Sequence, residues 1–370
     1  MKTLTTKIPK GWEIKKIKEV LSFEQPGNYI VESTAYTPTG KTPVLTANKS
    51  FILGYTDEDF GIYTKTPAII FDDFTTDSKY VDFNFKIKSS AIKILKTIDD
   101  ATDLKFIYEM IKSSNFQVEN HKRHYISQYQ EQSIIIPLLT EQKNIANILS
   151  SVDIEIQKID SIILQTEKLK KALMFVLFTK GVDHKKFKKT KIGYVPEEWE
   201  IKTFEEFATL QRGFDLPVPD RTIGLYPLVT SNGITDYHNE TKIKSPGVVT
   251  GRSGTLGNVF YIENDFWPHN TTLYVKDFHK NNEKFVYYKI QNFDLKRFGT
   301  GTGVPTLNRN IVHKELVAVP RYVEQVKIAE ILSLVDKKIL ISKKLKNKFI
   351  KLKKGLMSDL LSGKVRTIKN

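Results

Sequence analysis

The sequence predicts a mixed α/β (α+β) fold: two copies of one globular domain, joined by two long antiparallel coiled-coil helices. Two observations predict this fold class. The 370-residue chain repeats the same order of short motifs, and each half ends in apolar residues spaced alternately by three and four positions. The predicted boundaries are 1–136 for the first globular domain, 137–194 for the first helix and linker, 195–319 for the second domain and 320–370 for the second helix.

The internal repeat is visible in four collinear matches. They pair 8–15 with 195–202, 43–49 with 227–233, 105–108 with 284–287, and 137–149 with 320–332. The order is preserved while the offset drifts between 187 and 179 residues. Small insertions between equivalent elements explain such a drift, so we interpret the chain as a tandem duplication.

The globular part of each half shows the patterns of short strands and amphipathic helices. Val81, Phe83, Phe85 and Ile87 alternate with polar residues, which is the period of a half-buried strand. Short apolar runs predict further strands at 68–71 and 258–262, and near-helical spacing predicts helices at 103–115 and 283–298. We therefore expect a small sheet with one helix, made twice.

The second part of each half predicts a long helix with an apolar seam. Thr140 is the expected N-cap of the first helix, and Gly181 and Gly363 are the expected stops. A helix of this length cannot bury its seam against a small domain alone, so we expect the two helices to pair. The residues predicted to pack the helices or contact partners are Glu141, Gln142, Ile145, Ile148, Val152, Ile156, Ile163, Glu324, Gln325, Ile328, Ile331, Val335, Ile339 and Leu352.

Composition and charge exclude several classes of function. The chain has no cysteine, which rules out disulfides and thiolate metal sites. No apolar run approaches the roughly 20 residues that cross a bilayer, and no signal-peptide core follows Met1, so we expect a soluble, cytoplasmic protein without membrane contact. The formal charge is +15, but each globular segment carries about −1 and the excess lies on the helices and tails. This charge fits either a solvated lysine-rich helix face or contact with phosphate.

Searches for catalytic motifs yield weak matches only. The run 298–303 has the F-x-G-x-G form of S-adenosylmethionine sites, but it follows a predicted helix and leads into a polar loop. Pro219-Asp220 with Glu240-Thr241-Lys242 spells a loose nuclease signature that the first copy lacks. The chain has no phosphate-binding loop of the G-x-x-x-x-G-K-[ST] type. We therefore expect no catalytic residue, no metal site and no cofactor bound by this chain.

Polar residues in the predicted loops are candidates for reading DNA. Arg252 lies in the glycine-rich run 251–257, where it can serve a tight turn or present a bidentate donor to guanine or phosphate. The predicted DNA-binding residues are Lys41, Thr46, Asn48, Lys49, Lys86, Lys88 and Ser89 in the first copy, and Ser231, Asn232, Arg252, Ser253, His269, Asn270, Asn308 and Arg309 in the second. Two copies with one frame and different loop residues would read two different sequences.

The complete set of motifs resembles the specificity subunits of type I restriction-modification enzymes. The resemblance covers essentially the whole chain. It rests on Ile8-Pro9-x-Gly11-Trp12, on Ile192-Gly193-x-Val195-Pro196-x-x-Trp199, on Pro137-x-x-x-Glu141-Gln142-x-x-Ile145-Ala146-x-Ile148-Leu149 with its second copy at 320–332, on Leu173-Met174, and on the run 356–365.

The resemblance implies two target-recognition domains that read a bipartite target in double-stranded DNA, one half-site each, with the helices setting the spacer. It also implies docking of two modification subunits, which bring S-adenosylmethionine and methylate adenine, and of restriction subunits, which use ATP and Mg²⁺. Two other functions remain open at this point. One is a coiled-coil assembly adaptor that binds only protein, and the other is a solitary enzyme acting on nucleic acid.

Overall fold

The computed structural model describes residues 8–48, 50–114, 124–301, 303 and 305–368. The chain divides into two compact units, which are Met1–Asp160 with Leu345–Asn370 (unit 1) and Ser161–Lys344 (unit 2). Each unit contains one globular copy together with part of both long helices. The units follow packing rather than sequence order, and the predicted domain boundaries at 136 and 319 stay predictions.

The globular part of unit 1 consists of short strands and two helices. In chain order they are β1 Glu13–Lys16, α1 Ile17–Val20, β2 Leu21–Glu24, β3 Thr42–Leu45, β4 Ile52–Thr56, β5 Ala68–Asp72, β6 Ser78–Val81, β7 Lys86–Ile87, β8 Ile92–Thr97, α2 Leu104–Ser113 and β9 Ser133–Ile136. The strands form an antiparallel sheet of order β2-β8-β5-β6, a sheet of order β4-β3-β7 and the pair β1-β9. Asp103 caps α2, since its carboxylate accepts from the Phe106 backbone amide at 2.8 Å.

The globular part of unit 2 follows the first long helix, α3 Leu139–Thr179. Its elements are β10 Phe187–Thr190, β11 Gly193–Pro196, β12 Glu200–Thr203, α4 Phe204–Phe207, β13 Thr209–Arg212, β14 Ile223–Thr230, β15 Gly233–His238, β16 Gly247–Gly251, β17 Val259–Ile262, β18 Trp267–Pro268, β19 Thr272–Asp277, α5 Glu283–Asn292, β20 Gly299–Thr300, β21 Thr306–Leu307, α6 Arg309–His313 and β22 Leu316–Val319. The second long helix, α7 Tyr322–Leu360, follows β22.

The two globular copies share one topology. Unit 2 contains a sheet of order β13-β19-β16-β17, a sheet of order β15-β14-β18 and the pair β12-β22, which reproduce the three strand groups of unit 1 in the same chain order. In both copies the middle strand of the three-stranded sheet pairs with one neighbour antiparallel and with the other parallel. The tandem repeat found in the sequence is therefore a repeat of structure, and the predicted fold class is confirmed.

The long helices α3 and α7 run antiparallel within each unit. Ion pairs join residues of rising number on α3 to residues of falling number on α7. In unit 1 these pairs are Asp153–Lys353 at 2.6 Å and Asp160–Lys346 at 2.5 Å, and in unit 2 they are Glu167–Lys343 and Lys170–Asp336, both at 2.7 Å. The predicted helix pairing is thus present on both sides of the unit boundary.

The ends of the long helices agree with the sequence in part. Gly181 and Gly363 follow the last turns with φ of +66° and +70°, the left-handed conformation in which glycine ends a helix. Thr140 is not the N-cap, because α3 already begins at Leu139. The Leu138 carbonyl accepts from the Glu141 and Gln142 amides, so it makes the first turn without a side-chain cap.

The apolar residues predicted to line the contact between the long helices are mostly buried, but two of them are exposed. Ile145, Val152, Ile163, Ile328 and Ile339 are buried as predicted, and Ile156, Ile331 and Val335 are half-buried. Ile148 and Leu352 are exposed instead. The residue that α7 buries beside Leu352 is Lys353, whose side chain is 9% exposed and paired with carboxylates. A charged residue therefore occupies an inward position that the hydrophobic pattern assigned to leucine.

Two element predictions are wrong. The alternation from Val81 to Ile87 does not form one strand: β6 ends at Val81 and β7 begins at Lys86, and the two strands belong to different sheets. Between the two strands Phe83 is exposed, whereas Phe85 forms an isolated β-bridge with Tyr63 and is buried. The helix predicted at 283–298 ends at Asn292, and a separate 3-10 turn covers Leu295–Phe298.

Each globular copy builds its core around a tryptophan and the nearby ends of the long helices. In unit 1, Trp12 and Phe106 pack with Ile145, Leu149 and Leu360. In unit 2, Trp199 and Phe285 pack with Phe178, Ile328 and Leu332. No helix of the described residues is long and apolar enough to span a membrane.

Candidate nucleic-acid interface

Five loops of unit 2 that are distant in sequence meet at one edge of its sheets. Backbone hydrogen bonds join four of these loops to one another, and the fifth, 230–233, packs against the 251–257 loop where Ser231 lies beside Gly251. The loops are 212–216 after β13, 230–233 between β14 and β15, 251–257 between β16 and β17, 268–271 between β18 and β19, and 305–309 before α6.

Arg252 lies at the centre of this edge. Its backbone amide donates to the Thr271 carbonyl at 2.8 Å, and its carbonyl accepts from the Leu307 amide at 2.7 Å. The guanidinium Nη1 donates to the Asn270 carbonyl at 3.2 Å, its one hydrogen bond to a described residue. The main chain is fixed on both sides while most of the guanidinium donors remain available. Such a group suits bidentate contact with guanine or phosphate.

Asp215 is held beside Arg252's partner Asn270. The Asn270 side-chain amide donates to Asp215 Oδ1, and Arg212 Nη2 donates to the same oxygen at 2.9 Å. These hydrogen bonds, first from Asn270 and then from Arg212, lower the pKa of Asp215. The carboxylate is an acceptor at neutral pH and could accept from a cytosine amino group. Sequence reasoning missed both Arg212 and Asp215, although they flank Gly213 directly after a strand.

His269 and Gly213 define how closely two of the loops pack. A Cβ on Gly213 would lie 2.2 Å from the His269 carbonyl oxygen, so only glycine allows the approach. Burial, followed by the nearby positive charge of Arg221, lowers the pKa of His269. The ring is therefore neutral at pH 7, and its Nδ1 lies 3.2 Å from Thr271 Oγ1. It fits a neutral donor or acceptor better than a phosphate-binding cation.

The remaining predicted residues of unit 2 divide into exposed and structural ones. Asn232 is exposed at the β14–β15 turn, Ser253 is half-buried, and Ser231 is buried against Gly251. Asn308 uses its side-chain oxygen to accept from the Asn310 amide at the start of α6. Arg309 donates to the Leu210 carbonyl and to Gln211 Oε1. Asn308 and Arg309 thus hold the fold locally, whereas Asn232 is exposed and Arg252 is half-buried.

The corresponding edge of unit 1 carries different chemistry. Strands β3 and β7 are parallel neighbours, so the turn containing Asn48 lies beside Lys88 and Ser89. Asn48, Lys41 and Lys88 are exposed, Ser89 is half-buried and Thr46 is buried. Lys49 lies outside the described residues.

Lys86 is a predicted DNA-binding residue that the structure buries completely. Its Nζ lies 2.7 Å from Glu58 Oε2 and donates to the Phe60 carbonyl at 2.7 Å. Its ammonium also lies 4.2 Å from the centre of the Phe60 ring. A buried ammonium with these partners neutralises Glu58 and has no path to a phosphate, so we omit Lys86 from the proposed interface.

The position of Arg252 is taken by Asp73 in unit 1. Both residues follow the equivalent strand, and both backbone amides donate to the facing chain at 2.8 Å, from Arg252 to Thr271 and from Asp73 to Ala91. Asp73 is buried, accepts from the Tyr125 amide at 2.8 Å and lies 3.7 Å from Lys93 Nζ. One topological position therefore presents a guanidinium in one copy and a structural carboxylate in the other.

The predicted partner-docking residues Glu141 and Glu324 are internal to their units. Glu141 is fully buried and accepts from Trp12 Nε1 at 3.1 Å and from Arg366 Nε and Nη2 at 2.8 Å each. Burial raises the pKa of Glu141, but these donors outweigh burial and the net shift is downward. Glu324 receives the equivalent bonds from Trp199 Nε1 and the Val182 amide.

Gln142 and Gln325 make a second matched set of hydrogen bonds. Gln142 accepts from the Asp103 amide at 2.8 Å, and Gln325 accepts from the Asn282 amide at 2.8 Å. Each glutamine also donates to the carbonyl of the proline that precedes its helix, Pro137 and Pro320. The Glu-Gln pair of each copy therefore joins the long helix to its own globular domain.

A buried histidine, His313, is expected to make unit 2 less stable in acid. His313 Nε2 accepts from the Leu210 amide at 2.9 Å, and burial, more than any nearby charge, lowers the pKa of His313. The unfolded chain then binds a proton first as the pH falls, so we expect the stability of unit 2 to decrease below about pH 6.5. Thermal melting between about pH 5 and pH 8 should give a shallower pH dependence for His313→Gln, which can still accept from Leu210, than for the wild type. Parallel curves for the two proteins would contradict this assignment, and His279→Gln, at an exposed position, is the control.

Several known proteins are similar to this chain. A family model described as the type I restriction modification DNA specificity domain matches twice, at residues 9–168 and 196–349. The chain is 26% identical to the type I restriction enzyme MjaVIII specificity subunit of Methanocaldococcus jannaschii, over 98% of this chain and 95% of that subunit. It is also 50% identical over 124 residues to the type I restriction enzyme EcoR124I/EcoR124II specificity subunit of Escherichia coli, a match that spans 31% of that subunit.

The fold is similar to that of a solved specificity subunit. The S subunit of a type I restriction-modification system from M. genitalium superposes with a TM-score of 0.70 at 21% identity, covering 97% of each chain. In the described part of this chain, no group of three His, Asp or Glu side chains is placed to hold a metal ion.

Proposed function

This chain belongs to the family of type I restriction-modification DNA specificity domains, and from that membership we propose that it reads a two-part DNA target, one half-site per globular copy. As a specificity subunit it recognises the DNA target of a type I complex and is itself non-catalytic. The proposal concerns how the target is divided between the copies, which residues read it, and which subunits act on it.

The observation that carries the proposal is the contrast between Arg252 and Asp73. The copies share strand order, register and the hydrogen bond that fixes this position, yet one presents an available guanidinium and the other a buried carboxylate. A frame with exchangeable loop chemistry supports reading of two unrelated half-sites. Arg252, Asn232, Asn270 and Asp215 are the proposed readers in unit 2, and Asn48, Lys41, Lys88 and Ser89 are the proposed contacts in unit 1.

The charge distribution supports separate roles for the domains and the helices. The globular segments are near neutral, and the excess of the +15 charge lies on helices and tails. Base discrimination therefore depends on a few loop side chains, while lysines of α7 supply a general attraction to phosphate or a face for partner subunits. In this proposal the paired helices set the number of unspecified base pairs between the half-sites.

The proposed partners supply all of the chemistry. Two modification subunits would bring S-adenosylmethionine and methylate adenine, and restriction subunits would bring ATP and Mg²⁺ for translocation and cleavage. The same proposal puts the complex in the cytoplasm, where it would meet double-stranded DNA. A chain that reads DNA for such a complex needs no cofactor of its own.

The spacer role predicts a specific gain of length. We insert seven residues into each long helix, near Ile159 in α3 and near Ser342 in α7, which preserves the phase of the seam. The helices lengthen by about 10 Å at 1.5 Å per residue, and the gap in the DNA target should grow by about three base pairs at 3.4 Å each. The measurement is a map of methylated adenines on genomic DNA after reconstitution with a cognate modification subunit.

The unmodified chain is the reference in the same experiment. It should direct methylation to one two-part motif with a fixed gap, and the modification subunit alone should not. The insertion should leave both half-sites unchanged. A protein-only adaptor would give the same methylation with and without the chain. An unchanged gap would refute the spacer role, since the helices would then not measure the distance.

A further inference from the structure

Two polar clusters interrupt the apolar contact between α3 and α7, one in each unit. In unit 1, Lys353 Nζ of α7 lies 2.6 Å from Asp153 Oδ2 of α3 and 3.0 Å from Glu109 Oε2 of α2. In unit 2, Lys170 Nζ of α3 lies 2.7 Å from Asp336 Oδ1 of α7. Tyr288 of α5 donates its hydroxyl to Asp336 Oδ2 at 2.8 Å. We call these three-residue groups polar lock 1 and polar lock 2.

The two locks are related by the internal repeat, with the helices exchanged. Asp336 follows Asp153, and Lys353 follows Lys170, by the offset of 183 residues that separates Glu141 from Glu324. The lysine is therefore on α7 in lock 1 and on α3 in lock 2. The third member comes from the equivalent helix of each globular domain, as Glu109 on α2 and as Tyr288 on α5.

Burial determines what these groups can do. The Glu109 side chain is fully buried and those of Lys353 and Lys170 are 9% and 15% exposed, while the two aspartates, Asp153 and Asp336, are 29% and 34% exposed. Charges taken out of water gain little net stability from pairing, because desolvation offsets most of the attraction. The same charges are strongly unfavourable when they lose their partners. Polar groups of this kind discriminate between alternative arrangements more than they stabilise one.

The apolar seam permits an alternative arrangement. Ile, Leu and Val recur along both helices, so a slip of one heptad still sets apolar residues against each other. A slip in one direction would bring Lys170 opposite Lys343. The opposite slip would bring Lys170 opposite Ala329 and Lys353 opposite Ala146. Both slips leave Asp336 facing an apolar residue, so only the observed register satisfies both locks.

We propose that polar lock 1 and polar lock 2 fix the register of α3 against α7 and so determine the length of the DNA spacer. The role in setting the DNA spacer rests on the proposed function, whereas the role in fixing the helix register concerns the protein alone. The residues act as positioning residues: they contact no base and no reacting atom.

The test removes the locks while keeping the volume of the side chains. The lock-free variant carries Lys353→Met, Asp153→Leu, Glu109→Met, Lys170→Met, Asp336→Leu and Tyr288→Phe. The native chain has no cysteine, so nitroxide labels can be placed at Ser161→Cys on α3 and Glu330→Cys on α7, both exposed positions in unit 2. Pulsed electron–electron double resonance then measures the distance between the two nitroxide labels in the full-length protein.

With the locks intact, we expect one narrow distance. In the lock-free protein we expect a second population, because a slip of one heptad changes the axial separation of the labels by about 10 Å. Two further variants carry the test if the lock-free protein does not fold. Asp336→Lys alone sets two lysines against each other and should broaden or split the distance. Lys170→Asp with Asp336→Lys restores an ion pair in reverse and should recover the narrow one.

The outcomes distinguish the role of the locks in fixing the helix register from their role in setting the DNA spacer. A single native distance in the folded lock-free protein, or in Asp336→Lys, would overturn the proposal, since the seam and the domains would then suffice to set register. Adenine mapping with the same variants tests the spacer. Two populations of label-to-label distance, together with methylated sites whose half-sites are separated by two gaps that differ by about three base pairs, support both roles. A split distance with one unchanged gap keeps the locks as register determinants and refutes the spacer role of the helices.

Discussion

Replacing Glu141 with alanine should lower the melting temperature of this protein by about 10 °C. The carboxylate is fully buried and accepts from the Trp12 indole, the Arg366 guanidinium and the Thr367 amide. Removing it leaves an indole N–H and a guanidinium without their acceptor, at a cost of about 3 kcal/mol in the free energy of unfolding. For a unit of this size, 1 kcal/mol corresponds to roughly 2–4 °C.

The control for this prediction is on the same helix. Glu155→Ala removes a solvent-exposed carboxylate that pairs with Lys158 one turn away, and it should change the melting temperature by less than about 2 °C. The double variant Glu141→Ala with Arg366→Ala should recover part of the loss, because it also removes the unpaired charge. Calorimetric melting of the four proteins measures both effects. Equal melting temperatures for Glu141→Ala and Glu155→Ala would show that the buried carboxylate contributes nothing.

Replacing Arg252 with alanine should reduce methylation of the cognate target by about 10- to 100-fold, and through one half-site only. A bidentate contact to guanine is worth about 1–3 kcal/mol, and each 1.4 kcal/mol is a tenfold change in binding. Arg252→Lys keeps the charge but loses the planar pair of donors, so it should recover binding only in part. We expect the loss to be specific for one base pair, read by testing every substitution in both half-sites.

The matched control for Arg252 is Arg321→Ala, which removes a positive charge from the exposed start of α7 outside the loop edge. Its effect should be small and independent of sequence. If Arg252→Ala weakens all substituted targets equally, then Arg252 contacts phosphate rather than a base. If methylation is unchanged, the loop edge of unit 2 is not the recognition surface.

The helices and the repeat could be predicted from the sequence because their signals are local and periodic. Gly181 and Gly363 end the helices as expected, and β5 and α2 form close to where their patterns place them. The error at Leu352 has a different origin. Hydrophobic periodicity cannot show that Lys353 pairs with Glu109 and Asp153 on two other helices, since these partners are 244 and 200 residues away in sequence.

For the candidate interface, the sequence could predict which kinds of residue to expect, but not which individual residues lie at the edge. Loop position and polarity identified Arg252, Asn232 and Asn270, which the structure brings to one edge. The same criteria also selected Lys86, because a lysine that lies between Phe85 and Ile87 in sequence is expected to be exposed. Its contacts with Glu58 and Phe60, which bury it, come from a distant part of the chain. Arg212 and Asp215 were missed, because their link to Asn270 exists only after β13 and β18 are assembled.

The bonds around Glu141 and Glu324 have a topological consequence. In unit 2, Glu324 holds the segment that follows α3, through Val182 and His184. In unit 1, Glu141 holds the segment that follows α7, through Arg366 and Thr367, and Arg366 also donates to the Lys10 carbonyl. Residues 363–367 and Trp12 are therefore held by one glutamate in unit 1, just as residues 181–184 and Trp199 are held by one glutamate in unit 2. Each long helix therefore begins with a glutamate that holds the segment following the other long helix, so the same connection is made once in each unit.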